Sequence, residues 1–425
     1  MKKLPHDALE PVAGNGLLHR RLFLAQGAAA LGAGATFLTA RNASAAPLEV
    51  PATMKTPGTP SSGYGERSRF ESKVQRIPNG AAPTPGTGGS RTPLEYLEGI
   101  ITPNSLFFER HHNGIPDIDP DQHKVLIHGL VERPLVFTLD ALSRYPLVSR
   151  IQFLECSGNS AGLNTPDPAQ QGAGALHGLL SCANWTGVPL SILLQEAGVK
   201  PEGKWLLAEG ADAAGMSRSV PIAKAYDDAM LALYQNGERL RPSNGYPVRL
   251  FLPGFEGNTN VKWLRRIKVT AEPTMTKDET SKYTDLLPNG RAEMFTFPMG
   301  VKSVITSPSG TQKMQGAGLY QISGVAWSGS GKIRRVEVSA DRGKTWAQAK
   351  LDEPVLSKAV ARFRLPWKWD GGPSVLMSRA TDEAGNVQPT RAKLIADRGP
   401  NYRYHYNAIQ SWNITAAGEI GNVYV

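Results

Sequence analysis

Short stretches of alternating apolar and polar residues dominate the chain, and helical periodicity is rare. Between Leu94 and Thr270 the pattern is mixed. HKVLIHGLV (123–131) and LVFTL (135–139) predict strands, and Leu139-Asp140-Ala141-Leu142 begins a helical turn. RIQFLEC (150–156) predicts a strand that runs straight into a cysteine. VPLSILLQEAG (188–198) has the three-and-four spacing of an amphipathic helix, stopped by Gly198. KWLLAEG (204–210), YPVRLFLPG (246–254) and VKWLRRIKVT (261–270) predict strands. These elements do not alternate as a doubly wound α/β sheet requires. From about Phe295 the pattern changes. KSVITSP, LYQISGVAWSG, IRRVEVSADRGKTWAQAKL, AVARFRLPWKW and SVLMSRATDEAGN are short strands parted by Gly, Asp and Asn turns. That spacing predicts an immunoglobulin-like β-sandwich, and the whole chain reads as α+β.

Composition changes the picture at the N-terminus. Arg20-Arg21-Leu22-Phe23-Leu24 precedes a weakly apolar Gly/Ala run and the small-residue pattern Ala43-Ser44-Ala45. Residues 1–45 therefore resemble a twin-arginine (Tat) export signal, which predicts a periplasmic protein exported folded, with a cofactor inserted beforehand. The run is too poor in large apolar residues for a membrane span. Residues 46–92 are rich in Pro, Gly, Ser and Thr and predict an extended arm or linker. The net charge is +10. No basic stripe with interleaved aromatics accompanies it, so nucleic acid is not the expected partner. A phosphate-bearing cofactor, an anionic substrate or an acidic protein fits better.

The chemistry concentrates in FLECSGNSAG (153–162), which supports two readings. Gly158-Asn159-Ser160-Ala161-Gly162 fits the nucleophile elbow of serine hydrolases, with Asp397 and His405 downstream in the Ser…Asp…His order. That elbow needs a parallel sheet flanked by helices, and the flanking pattern is absent. In the other reading the thiolate of Cys156 binds a soft metal whose remaining ligands come from a cofactor. The chain has two cysteines, so a bridge from Cys156 to Cys182 is the competing structural role. Two cysteines also leave no C-x-x-C-H haem site. A binding or scaffold protein is a third, non-enzymatic possibility.

TPNSLFFERHHNGIP (102–116), FLECSGN, NWTGVPLSILLQEAG, NGERLRPSNGYPVRLFLPG and NVKWLRRIKV resemble the molybdopterin-binding domain of the sulfite oxidase family. GVAWSGSGKIRRVEVSADRGKTW and ATDEAGNVQP are similar to its dimerisation domain. With the leader, the arm and DETSKYTDLLPNGRAEMFTFPMG, the resemblance is nearest to the molybdenum subunits of sulfane (sulfite) dehydrogenases. It implies four segments: leader 1–45, arm 46–92, molybdopterin-binding catalytic domain 93–290, and sandwich dimerisation domain with its tail 291–425. It implies molybdenum on molybdopterin, no haem in this chain, a c-type cytochrome subunit as electron acceptor, a sulfur-carrier protein as possible substrate carrier, and a homodimer. Carried over by position, Cys156 is the molybdenum ligand, Arg110 faces metal and anionic substrate, and Tyr283 relays protons. His112, Asp212, Arg249 and Lys262 contact the cofactor, and Asn244 stands where many relatives have a pterin-contacting histidine. Many relatives also carry an arginine soon after the cysteine motif, where this chain has Ser160-Ala161-Gly162-Leu163, and a tryptophan within what is here 160–180. Those departures favour protein-bound sulfane sulfur over free sulfite as substrate.

Overall fold

A computed structural model describes residues 11–20, 49–80 and 86–425. The apolar run and cleavage pattern of the expected leader lie outside these residues, as does Arg21. Strands are numbered in chain order. β1 (Pro11–Ala13) and β2 (Leu17–Leu18) form a small hairpin. Residues 49–73 are exposed throughout. The end of the Pro/Gly-rich stretch is different. There β3 (Ile77–Pro78) and β4 (Gly88–Arg91) join β5 (Glu109–His111) in an antiparallel sheet.

The next unit holds two sheets. Its strands are β6 (Lys124–Gly129), β7 (Leu135–Thr138), β8 (Val148–Glu155), β9 (Leu180–Pro189), β10 (Trp205–Gly210), β11 (Ser217–Pro221), β12 (Met230–Gln235), β13 (Glu238–Arg239), β14 (Arg249–Phe251) and β15 (Leu264–Thr270). One sheet runs β11-β10-β15-β6-β7, and the other β13-β12-β9-β8 with β14 on β12. The β6–β15 pair is parallel, and the other described pairs here are antiparallel. The helix Leu190–Ala197 packs between the sheets. Leu190, Leu193, Leu194 and Ala197 are fully buried, the stripe that its sequence spacing dictates. Burying each leucine contributes about 2 kcal/mol. Gly198, at φ 69°, ends the helix in a left-handed cap.

A short hairpin, β16 (Asp285–Leu286) and β17 (Ala292–Glu293), leads into the sandwich. Its strands are β18 (Lys302–Ser307), β19 (Gly318–Trp327), β20 (Ile333–Ser339), β21 (Ala347–Gln348), β22 (Lys350–Leu351), β23 (Ala361–Trp369), β24 (Ser374–Asp382), β25 (Ser411–Ile414) and β26 (Ile420–Val423). One sheet runs β1-β2-β23-β19-β18, with β22 on β23, and the other β21-β20-β24-β25-β26. The aromatic tail thus ends as strand β25 within the sandwich. Trp327, Trp367 and Trp412 fill the space between the sheets. The same core continues into the first unit through Phe153, Leu163, Leu176, Leu180 and Cys182. Among the described residues no helix is long and apolar enough to cross a membrane.

Candidate active site

Cys156 follows the last residue of β8. Its N–H donates to the Leu179 carbonyl at 3.0 Å, and its own carbonyl accepts from the Asn159 N–H at 2.8 Å. Asn159 binds back to the Glu155 carboxylate at 2.9 Å and accepts from the Leu179 N–H at 3.1 Å. Gly257 seals the other side. A Cβ there would fall 2.9 Å from the Glu155 carbonyl and 3.2 Å from the Cys156 Cα. The thiol is therefore fixed in the wall of a cavity. Both cysteines are free, and Cys182 is buried opposite Phe153. No bridge ties up the thiol.

Every residue expected at the site lines that one cavity: Arg110, His112, Cys156, Asp212, Asn244, Arg249, Lys262 and Tyr283. β5 carries Arg110, the loop before β14 carries Asn244, and β14 begins with Arg249. The Lys262 ammonium donates to the carbonyls of Arg110 (3.0 Å) and Ser243 (2.9 Å). Burial, then the nearby Arg249 charge, brings its pKa down to about 7. Arg249 is buried and donates to the carbonyls of Asn244 (2.9 Å) and Asn260 (2.8 Å). Burial disfavours its charge, yet a guanidinium keeps its proton in proteins. The buried Arg249 guanidinium, with the partly buried Lys262 ammonium when protonated, favours an anion here.

The Tyr283 hydroxyl lies 2.9 Å from His112 Nε2. Burial, then the charge of Arg110, holds His112 near a pKa of about 4, so the ring is neutral at pH 7. Burial, then the charge at Cys156, pushes the Tyr283 phenol up. The pair is thus uncharged, a neutral phenol hydrogen-bonded to a neutral imidazole. Burial also raises the Cys156 thiol, against a backbone N–H at Gly158 and the charge of Arg110. A bound metal ion would reverse that and hold the thiolate.

Several supporting residues gave no sequence signal. Arg218 is fully buried and donates to Glu279 (2.9 Å) and Glu256 (3.1 Å). Its guanidinium carbon stands 4.8 Å from the centre of the Tyr283 ring, a cation beneath the phenol. Glu256 also meets His405 at 3.2 Å and Asn258, and Asn258 donates to the Ser157 hydroxyl at 2.8 Å. Arg91, on β4, feels the charge at Cys156, which partly offsets the effect of its own burial. Arg91 itself is hydrogen-bonded to Asn79 and does not line the cavity.

The hydrolase triad does not form. Ser160 is buried, at φ 67°, with its hydroxyl 2.7 Å from His177 Nδ1 and 2.7 Å from the Lys302 ammonium. Asp397 pairs with Lys393 on an exposed helix, and His405 faces Glu256. Among the described residues no three His, Cys, Asp or Glu side chains gather as a metal site. Cys156 therefore suits a metal whose other ligands arrive with it. Around the cavity Arg249 Nε, Asn244 Oδ1, Asn258 Oδ1, His111 Nδ1 and Glu109 Oε2 are buried without hydrogen-bond partners. Donors and acceptors so interspersed, beside the buried Arg249 and the partly buried Lys262, fit a polar heterocycle that carries a phosphate.

The chain is similar to known proteins. The oxidoreductase molybdopterin binding domain matches residues 112–277, and the Mo-co oxidoreductase dimerisation domain matches residues 293–411. Mitochondrial sulfite oxidase of Homo sapiens is 32% identical over 327 residues, covering 70% of this chain and 59% of that protein. Nitrate reductase [NADH] of Solanum lycopersicum is 32% identical over 350 residues, covering 71% of this chain and 38% of that protein. The chain thus spans little more than half of the human relative and less of the plant one. The crystal structure of the sulfane dehydrogenase SoxCD from Paracoccus pantotrophus contains a chain with a TM-score of 0.86 and 46% identity, covering 89% of this chain and 98% of that one.

Proposed function

The chain belongs to the sulfite oxidase family of molybdopterin oxidoreductases, and from that premise we propose that it oxidises sulfane sulfur carried on a partner protein. The observation that carries the reading is one cavity lined by the Cys156 thiol, the buried Arg249 and the partly buried Lys262, among unpaired polar groups. Molybdenum on the pterin supplies two-electron oxidation of sulfur by oxygen-atom transfer. The chain's own residues do the rest. Cys156 ligates the metal through its thiolate. Arg249 and Lys262 hold the phosphate, while Asp212, Asn244 and His112 hold the pterin. Arg110 grips the negative charge of the substrate sulfur group. The Tyr283 phenol keeps a proton ready at its oxygen, positioned by His112 and by Arg218 beneath the ring.

The reaction yields two electrons, and the 425 residues hold no C-x-x-C-H motif. A c-type cytochrome subunit takes them, in the periplasm, after export by the Tat route. The sandwich mediates a homodimer. Identity of 46% to a sulfane dehydrogenase chain supports the sulfane substrate. Free sulfite is the second reading, favoured by 32% identity to mitochondrial sulfite oxidase.

Molybdenum content by elemental mass spectrometry, measured beside visible absorption, tests the core of this. Wild type should carry near-stoichiometric metal, and Cys156→Ser should lose the thiolate absorption and activity. A wild type without molybdenum from a cofactor-producing host would overturn the assignment. Turnover should be at least tenfold more efficient on sulfur bound to a carrier cysteine than on free sulfite. Equal efficiency would move the substrate to sulfite.

A further inference from the structure

The N-terminal hairpin has no part in the site above, yet it is specifically seated. Leu17 and Leu18 are fully buried, and Leu17 pairs with Trp367 on β23 and joins the sandwich core. Polar contacts fix the turn between the strands. The Trp367 indole donates to the Asn15 carbonyl at 2.6 Å, the Asn15 amide donates to the Ala340 carbonyl at 2.8 Å, and the Gly14 N–H donates to the Thr345 hydroxyl at 2.7 Å. The turn needs φ 56° at Asn15 and 83° at Gly16. Space is as limited as conformation. A Cβ at Gly16 would fall 1.9 Å from the Lys368 carbonyl, and one at Gly14 2.1 Å from the Asp341 carboxylate.

The receiving cleft is built by the sandwich itself. Asp341 accepts from the Thr345 N–H (2.9 Å) and hydroxyl (2.6 Å), and the Ser339 hydroxyl donates to it at 2.8 Å. This loop sits beside the β23 edge only when both sheets have formed. Position in the sequence gives the contact its meaning. Val12 to Leu18 lie just ahead of the paired arginine, and Arg20 is exposed. A folded sandwich holds this segment; an unfolded chain leaves it free.

We propose that the cleft between the β23 edge and the 339–345 loop is a peptide-recognition site for the chain's own Val12–Leu18 segment, so that the export leader reports a folded sandwich. Strand addition supplies the affinity and the Gly-Asn-Gly turn the selectivity. The docking stands on the contacts above; its meaning for export rests on reading residues 1–45 as a removable leader.

Hydrogen–deuterium exchange on the full chain tests the docking. The Leu17 and Leu18 amides should exchange at least tenfold more slowly than in Gly16→Val, with turnover unchanged by that substitution. Exchange at the free-peptide rate in wild type would overturn the proposal. A synthetic peptide of residues 9–20 should saturably shift tryptophan fluorescence of the leader-free protein, and its Gly16→Val version should not. An equal response to both peptides would overturn the selectivity. N-terminal sequencing of protein recovered from the periplasm checks the leader separately. Retention of residues 1–45 would overturn the export half of the proposal whatever the exchange shows.

Discussion

Single residues at this site act through charge that burial leaves poorly balanced. Lys262 is the clearest case, because its pKa falls from 10.5 to about 7 on folding. Between those values the unfolded chain binds more protons than the folded one, so stability rises with pH across that window. Below pH 7 both states are protonated and the penalty is fully present. In cofactor-free protein, Lys262→Met should remove part of that rise, on the order of 2 kcal/mol between pH 7 and 9. Denaturant titrations at the two pH values would measure it. A residual slope from Lys224 and Lys302, each lowered to about 8 chiefly by burial, should remain. No difference between wild type and variant would mean that Lys262 is not the partly buried cation the geometry makes it. Arg110, His112, Cys156, Asp212, Asn244, Arg249, Lys262 and Tyr283, all of which line the cavity, were legible through the resemblance to the sulfite oxidase family, whereas Met216, Asn258 and Trp263 on the same walls were not. Nor were Arg218, Glu256 and Glu279. Each looks like an ordinary charged residue, and their contacts span tens of positions that no local pattern connects.

Elements explain how the thiol is held. β8 ends at Glu155, whose carboxylate accepts from the Trp327 indole at 2.6 Å and lies 3.6 Å from the Lys302 ammonium. Both charged groups are buried. Breaking such a pair from one side costs about 3–5 kcal/mol, whereas removing both charges costs far less. Lys302→Met should therefore destabilise the protein by about that amount and weaken molybdenum retention, since Cys156 is the next residue after Glu155. Adding Glu155→Gln should restore most of the stability. Chemical denaturation of the singles and the double would decide it, and additive losses would exclude a coupled pair. Sandwich strands were readable because Gly, Asp and Asn turns part them at regular spacing, even where β18 and β24 are almost wholly buried. β9 was missed because most of its residues are buried, so no alternation appears. β12 is almost wholly buried for the same reason.

Across the whole molecule the two units are continuous. The sandwich core takes in Phe153, Leu180 and Cys182 from the sheet that ends at the thiol, and His405 reaches from the tail to Glu256. Burial pushes Glu256 up, but the His405 hydrogen bond and the Arg218 charge outweigh it and hold the carboxyl at about 2. Units joined through shared core unfold together. Calorimetry should show one endotherm near neutral pH, and two well-separated ones would contradict the shared core. The overall α+β plan was legible from the change of pattern near Phe295. The arm's contribution was not, because Gly and Pro give no hint of which strand they will pair with. That pairing bears on how the enzyme can be cut or transplanted. A module trimmed to the family boundary at residue 112 would begin just past Arg110 and lack β3, β4 and β5. Grafted onto another sandwich, it would keep its thiol and lose the Arg110 wall of the cavity, so the Pro/Gly stretch that pairs with β5 has to travel with it.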